Sequence, residues 1–240
     1  MNVTDWLHFG MWGMLFGTAF IGLYSFTLRK EERNHVYLAG WITLIAATAY
    51  YAMSIDFGTI VINGQYVQLA RYADWVITTP LLLITLITVG IPKHSKRRGS
   101  IITGVVGLDI YMILTGLFAA LSGYKWPWYI FSCIALVLIA YMLSQVVYKE
   151  SKLATDKKVT RLYANLALVL AALWFAYPVV WYLAESGVGA ISYLNENAIY
   201  AVLDVTAKVG FGLLILGSIK SLSAKFNAKS GESTLEAASK

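Results

Sequence analysis

The chain has a single cysteine, Cys133, which excludes an internal disulfide and any cysteine-based metal site. Cys133 stands inside the apolar run FSCIALVLIA, where its reading is that of a small packing residue. Charge is scarce too: Asp, Glu, Lys and Arg make up 13% of the 240 residues against 58% hydrophobic ones, whereas soluble domains carry about 25% charged residues. That shortage excludes a soluble domain and leaves an integral membrane protein. No basic region precedes the first apolar segment, which is long enough to span, so a cleavable signal peptide is not expected. An internal repeat of the kind built into inverted-repeat transporters is also missing.

What is present is a series of apolar segments of the roughly 20 residues that a bilayer crossing needs. Seven can be read, at 5–28, 35–55, 68–90, 99–122, 126–149, 161–185 and 194–222. The short connections between them predict neighbouring helices in a compact bundle. The expected fold is therefore an all-α, seven-transmembrane-helix bundle over residues 1–223, followed by a disordered tail, 224–240, rich in Ser, Lys, Ala and Glu. In the second connection, Asn63-Gly64 marks a short hairpin.

Basic residues are nearly absent from every second connection. Arg29, Lys30 and Arg33 fill the first loop, Lys93, Lys96, Arg97 and Arg98 the third, and Lys149, Lys152, Lys157, Lys158 and Arg161 the fifth, while Lys125 stands alone on the other side. The positive-inside rule then places those loops and the C-terminus in the cytoplasm and the N-terminus outside, in a plasma membrane. Topology accounts for the net charge of +6, and no nucleic-acid partner is expected.

Two basic residues remain within spans, Arg71 and Lys208, together with the acidic Asp74, Asp109 and Asp204. A charge at the bilayer centre costs at least about 2.5 kcal/mol, so these groups need partners. Asp204 and Lys208 are four apart and share a helix face, as do Arg71, Asp74 and Thr78. Thr85, eleven residues after Asp74, returns to that face about 16 Å deeper. The spacing predicts a polar line of Arg71, Asp74, Thr78 and Thr85 facing Asp204 and Lys208. Three readings fit: a structural ion pair that fixes helix register, an ion-coupled carrier site, or a lysine that is covalently modified, since a desolvated lysine is a good nucleophile toward an aldehyde. Mid-span aromatics favour the third. Tyr50, Tyr72, Trp75, Trp174, Tyr177 and Trp181 lie away from the interfaces where aromatics usually collect, and WFAYPVVW, with Pro178 breaking the sixth helix, reads as the wall of a long flat pocket.

These motifs resemble those of the microbial rhodopsins. RYADWVITTPLLL, WFAYPVVW and LDVTAKVGFG, in this order, match the third, sixth and seventh helices of the bacteriorhodopsin branch, and the likeness covers residues 5–222. It implies all-trans-retinal bound to Lys208 as a Schiff base, Asp74 as primary counterion and proton acceptor, Asp204 as second counterion, and Arg71 between the Schiff base and the outside. It further implies Tyr50 in the counterion complex, a retinal pocket of Tyr72, Trp75, Thr79, Leu82, Met112, Gly116, Ser132, Trp174, Tyr177, Pro178 and Trp181, and Asp109 as a carboxyl bonded to Thr79. Tyr129 departs from the tryptophan usual at its position.

The resemblance also frames the activity. Glu196, eight residues before Asp204, stands at the position of an extracellular proton-release glutamate, with Glu185 one residue out of register as its partner. The internal proton donor is missing: Thr85 occupies a position where outward pumps carry a carboxylate, which leaves cytoplasmic water or a distant group such as His35 to reprotonate the Schiff base. Slow recovery would suit a sensor working with a transducer protein, yet Ala207 stands where such sensors carry threonine. AYYAMSIDFG and TGLFAALSGYKW look like the Anabaena sensory rhodopsin and xenorhodopsin group, some of which pump inward, but that group has proline in place of Asp204 and often an acidic residue in place of Ile215. Asp74 disfavours chloride transport, and Asp74, Thr78 and Thr85 together lack the sodium-pump pattern. The expectation is an outward light-driven proton pump and not an enzyme, with a sensor or an inward pump as alternatives. Its partners would be the lipid bilayer, protons and further copies of itself, with a trimer common in the family.

Overall fold

The computed structural model describes residues 1–30, 33–62 and 64–222. Seven helices long and apolar enough to cross a membrane run through it: α1 (Val3–Tyr24), α2 (Arg33–Ser54), α3 (Leu69–Gly90), α4 (Arg98–Leu121), α5 (Lys125–Ala154), α6 (Lys157–Leu183) and α7 (Tyr193–Leu222). Within lipid no water is available to backbone N–H and C=O groups, so helices that satisfy their own hydrogen bonds are one of the two ways to cross. Residues 224–240, expected to form a disordered tail, lie outside the described residues.

The only strands among the described residues are β1 (Thr59–Ile62) and β2 (Gln65–Gln68), an antiparallel hairpin with Thr59 opposite Gln68 and Ile62 opposite Gln65. Gly64 takes the positive φ of 78° that the tight connection demands. The hairpin feeds directly into α3 and marks one end of the bundle. The basic loops mark the other.

α3 is the most enclosed helix, with 61% of its most apolar stretch buried against 22% for α1. Its residues from Arg71 to Thr85 therefore face protein and not lipid over most of its circumference. α1 lies close against its neighbours because glycine leaves room: a Cβ at Gly10 would collide with the Tyr50 ring, and one at Gly17 with the Val209 side chain. Small residues at helix contacts allow this approach in membranes.

One expectation about helix shape needs correction. Pro178 does not break the sixth helix, which continues through it from Lys157 to Leu183, and Pro80 sits inside α3 in the same way. Neighbouring groups in a bundle can satisfy the backbone carbonyl that proline frees one turn earlier; separately, the carbonyl of Pro178 itself accepts from Tyr129 Oη at 3.1 Å. The winding does change elsewhere, at positions with no residue pattern to mark them. Met142–Val147 in α5 and Thr206–Gly210 in α7 are π-helical turns, and the second contains Lys208. Such turns are frequent at functional sites.

Candidate functional site

Lys208 is 2% exposed and projects from the π-helical turn of α7 toward α3. Its Nζ donates to Asp74 Oδ2 at 2.7 Å and to Asp204 Oδ1 at 3.1 Å. The i, i+4 spacing brings the second carboxylate, and the packing of α3 against α7 brings the first. One buried cation thus faces two buried carboxylates.

The carboxylates are bonded unequally. Asp204 Oδ1 accepts from Trp75 Nε1 at 3.2 Å, Tyr177 Oη at 2.9 Å and Lys208 Nζ, while its Oδ2 accepts from Tyr50 Oη at 2.8 Å. Four donors thus surround this carboxylate, three on Oδ1 and one on Oδ2. Asp74 accepts side-chain bonds from Lys208 and from Thr78 Oγ1, the latter at 3.1 Å, which leaves lone pairs free.

A pocket opens from Lys208 between α3, α4, α5 and α6. Trp75, Thr79 and Leu82 line it from α3, Met112 and Gly116 from α4, Tyr129 and Ser132 from α5, and Trp174, Tyr177, Pro178 and Trp181 from α6, with Tyr72 beside them. Tyr129 stacks on Trp181 with ring centroids 4.9 Å apart and planes 15° from parallel, which shows how the tyrosine fills its departure from tryptophan. At Gly116 an added Cβ would stand 3.5 Å from Ser132 Oγ, so a larger side chain would project into the slot. Ser132 Oγ donates to the Met112 carbonyl at 2.8 Å and presents no free polar group.

Two residues grouped with the retinal site by the resemblance, Tyr50 in the counterion complex and Asp109 bonded to Thr79, make those bonds from behind the pocket and do not line it. Tyr50 is fully buried and acts on Asp204, and Asp109 Oδ2 accepts from Thr79 Oγ1 at 2.8 Å, which ties α4 to α3. Ile113, Cys133, Leu136, Tyr200 and Ala207 line the pocket without having been expected there. Their apolar character gave no signal beyond packing.

Toward the hairpin end, Arg71 does not bond to either carboxylate. Its Nη2 donates to Gln68 Oε1 and to Asn197 Oδ1, both at 2.6 Å, and its guanidinium lies 4.7 Å from the centre of the Tyr200 ring. Sequence reading missed both amides, although Asn197, seven residues before Asp204, shares its helix face. Glu196 lines a small cavity with Arg71, Ser186 and Tyr193. Glu185 does not line it; its Oε1 accepts from the Tyr193 N–H at 3.2 Å.

Toward the basic-loop end the surroundings change. Thr85 is buried and spends its hydroxyl on the Leu81 carbonyl at 2.7 Å. The core in this half of the bundle is a buried apolar cluster that includes Leu83, Leu86, Ile87, Leu166, Leu170 and Phe211. His35 stands in the first turn of α2 at that end.

The residues fit the group that the sequence motifs imply. A long conjugated aldehyde needs a flat aromatic slot, an amine at its end and negative charge beside the resulting cation, and all three meet at Lys208.

The description of the family model that matches residues 2–222 is "Bacteriorhodopsin-like protein". A bacteriorhodopsin from a Haloterrigena species is 36% identical over 222 residues, 89% of this chain and 86% of the relative. Among solved structures, a thermophilic rhodopsin from Rubrobacter xylanophilus is 36% identical with a TM-score of 0.87, covering 92% of this chain and 97% of the other. A light-driven proton pump from Coccomyxa subellipsoidea is also 36% identical, with a TM-score of 0.81 and coverage of 89% and 95%.

Proposed function

Since the chain belongs to the family of bacteriorhodopsin-like proteins, we propose that it moves protons outward, with Asp74 as acceptor and no carboxylate donor on the cytoplasmic side. As a member of that family it is a seven-span plasma-membrane protein that carries retinal as a Schiff base on a lysine, and it is a light-driven proton pump and not an enzyme. Lys208 is the lysine we assign, being the one at the end of the aromatic slot. When bound, retinal supplies a light-driven isomerisation that changes the orientation and proton affinity of the nitrogen to which it is joined.

The chain's own groups then direct the proton. Nζ of Lys208 holds it 2.7 Å from Asp74 Oδ2, and Asp74 has lone pairs to receive it. Asp204, with four donors about it against two for Asp74, retains its negative charge and holds the site's orientation. Thr78 donates to Asp74 and fixes its rotamer. Arg71, Gln68, Asn197 and Glu196 provide polar groups onward from Asp74 toward the hairpin end, where Glu196 would release the proton. The basic loops, by the positive-inside rule, put that end outside.

The observation that carries the direction is the contrast about Lys208: a carboxylate with free lone pairs and polar groups beyond it on one side, and on the other a buried apolar cluster and a threonine, with no carboxylate to donate a proton. The missing donor also favours a second reading, a photosensor whose excited form persists. Light on an unbuffered suspension of expressing cells supplied with retinal separates them. Acidification abolished by a protonophore is expected. Alkalinisation would mean inward transport, and a coloured protein without any pH change would leave the sensor.

A further inference from the structure

We propose that a cleft between the basic-loop ends of α6 and α7 is a binding site for the headgroup of an anionic membrane phospholipid. The cleft has a volume of about 630 Å³ and is lined from α6 by Lys158, Arg161, Leu162 and Asn165 and from α7 by Gly217, Ser218 and other residues of its last turns. Lys158, Arg161 and Asn165 recur at three and seven residues, so they form one face of α6.

The chemistry of the lining is one-sided. Ammonium, guanidinium, amide and hydroxyl groups can all donate, and no carboxylate lines the cleft. Neither Lys158 nor Arg161 makes an ion pair among the described residues. Asn165 is exposed a full turn inside the span, at a depth where an amide side chain otherwise faces hydrocarbon. Beneath these groups lie Leu162, Leu213 and Leu214. A free phosphate would have no use for a leucine floor, whereas an acyl chain would lie along it. Basic pockets between transmembrane helices are a known form of headgroup recognition.

The remaining candidate occupant is the chain's own segment 223–240, which follows Leu222 at the rim. Its charges argue against it, because Lys225, Lys229 and Lys240 outnumber Glu232 and Glu236. A segment without net negative charge is a poor match for a cleft lined by donors alone.

The test is native mass spectrometry of the full-length pigment in detergent, titrated with phosphatidylglycerol and, separately, phosphatidylcholine. Phosphatidylglycerol should be retained preferentially. The double substitution K158Q/R161Q should weaken its binding roughly thirtyfold, the loss carried by two basic contacts at a membrane surface, with the visible absorption band unchanged. K149Q/K152Q, which alters exposed lysines of α5 at the same end, should leave binding as it was. Equal retention of the two lipids, an undiminished affinity in K158Q/R161Q, or an equal loss in both double variants would overturn the proposal, the last by reducing it to diffuse surface charge. A chain ending at Leu222 should bind as the full chain does. If phosphatidylglycerol bound only to that shortened chain, the tail would be the occupant and the proposal would fail.

Discussion

The two aspartates facing Lys208 are chemically identical and differently employed. Asp204 accepts from two tyrosines, a tryptophan and the lysine, whereas Asp74 accepts from the lysine and one threonine. Asp74→Asn removes the proposed acceptor while leaving the Asp204 cluster intact. Proton pumping in illuminated cells should fall to background, and the visible band should move to longer wavelength because one negative charge beside the cation is gone. A variant that still pumped at a tenth of the original rate or more would show that another group takes the proton. Arg71 offers a second case. Its guanidinium is held by Gln68 and Asn197, and Asn197→Leu should lower stability by about 1.5–3 kcal/mol, the range for a buried bond to a charged group. Thermal bleaching of the pigment would report it, with little change of colour since neither aspartate is touched. Lys208, Asp204 and Asp74 were legible in the sequence because charge is anomalous within a span and their spacing selects one face. Gln68 and Asn197 were not, since an amide near the end of a helix is ordinary until the side chain it holds is seen.

Helix positions were legible for the same reason of composition: apolar runs of spanning length have few alternatives in a bilayer. Their winding was not. The π-helical turn of α5 has no residue signature, yet it is tied down from outside, with Tyr163 Oη donating to the Leu143 carbonyl at 2.7 Å. The Tyr163 ring is fully buried against Gly90 at the end of α3, so that α3, α5 and α6 meet at one side chain. A Cβ at Gly90 would stand 2.6 Å from that ring, and the ring cannot retreat without breaking its bond to α5. Gly90→Ala should therefore cost about 1–3 kcal/mol, as overpacking does. Tyr163→Phe keeps the ring and loses one hydroxyl, for a smaller cost of about 0.5–1.5 kcal/mol. Thermal bleaching should rank Gly90→Ala below Tyr163→Phe below the parent, and the reverse order would mean that the bond, not the packing, joins the helices.

At the scale of the whole molecule the bundle is polar from Lys208 to the hairpin end and apolar from Lys208 to the basic loops. Where a carboxylate donor would stand, Thr85 bonds to its own helix, and the buried cluster of that half is built of leucine, isoleucine and other apolar side chains. On the outward reading proposed above, a proton returning to Lys208 is drawn from the cytoplasmic solution, and the rate of that step is proportional to the proton concentration there. Raising the pH by one unit should slow recovery of the absorbing state about tenfold, whereas an internal donor that stays loaded makes recovery nearly independent of pH until the donor itself empties. Flash photolysis between pH 6 and pH 8 would read the slope directly. Thr85→Asp supplies the missing carboxylate within the same apolar layer, so recovery should become faster at pH 8 and its slope should flatten. If the parent chain already showed a flat profile, some other group would be loading Lys208 from within, and the assignment of the cytoplasmic half as a donor-free barrier would be wrong.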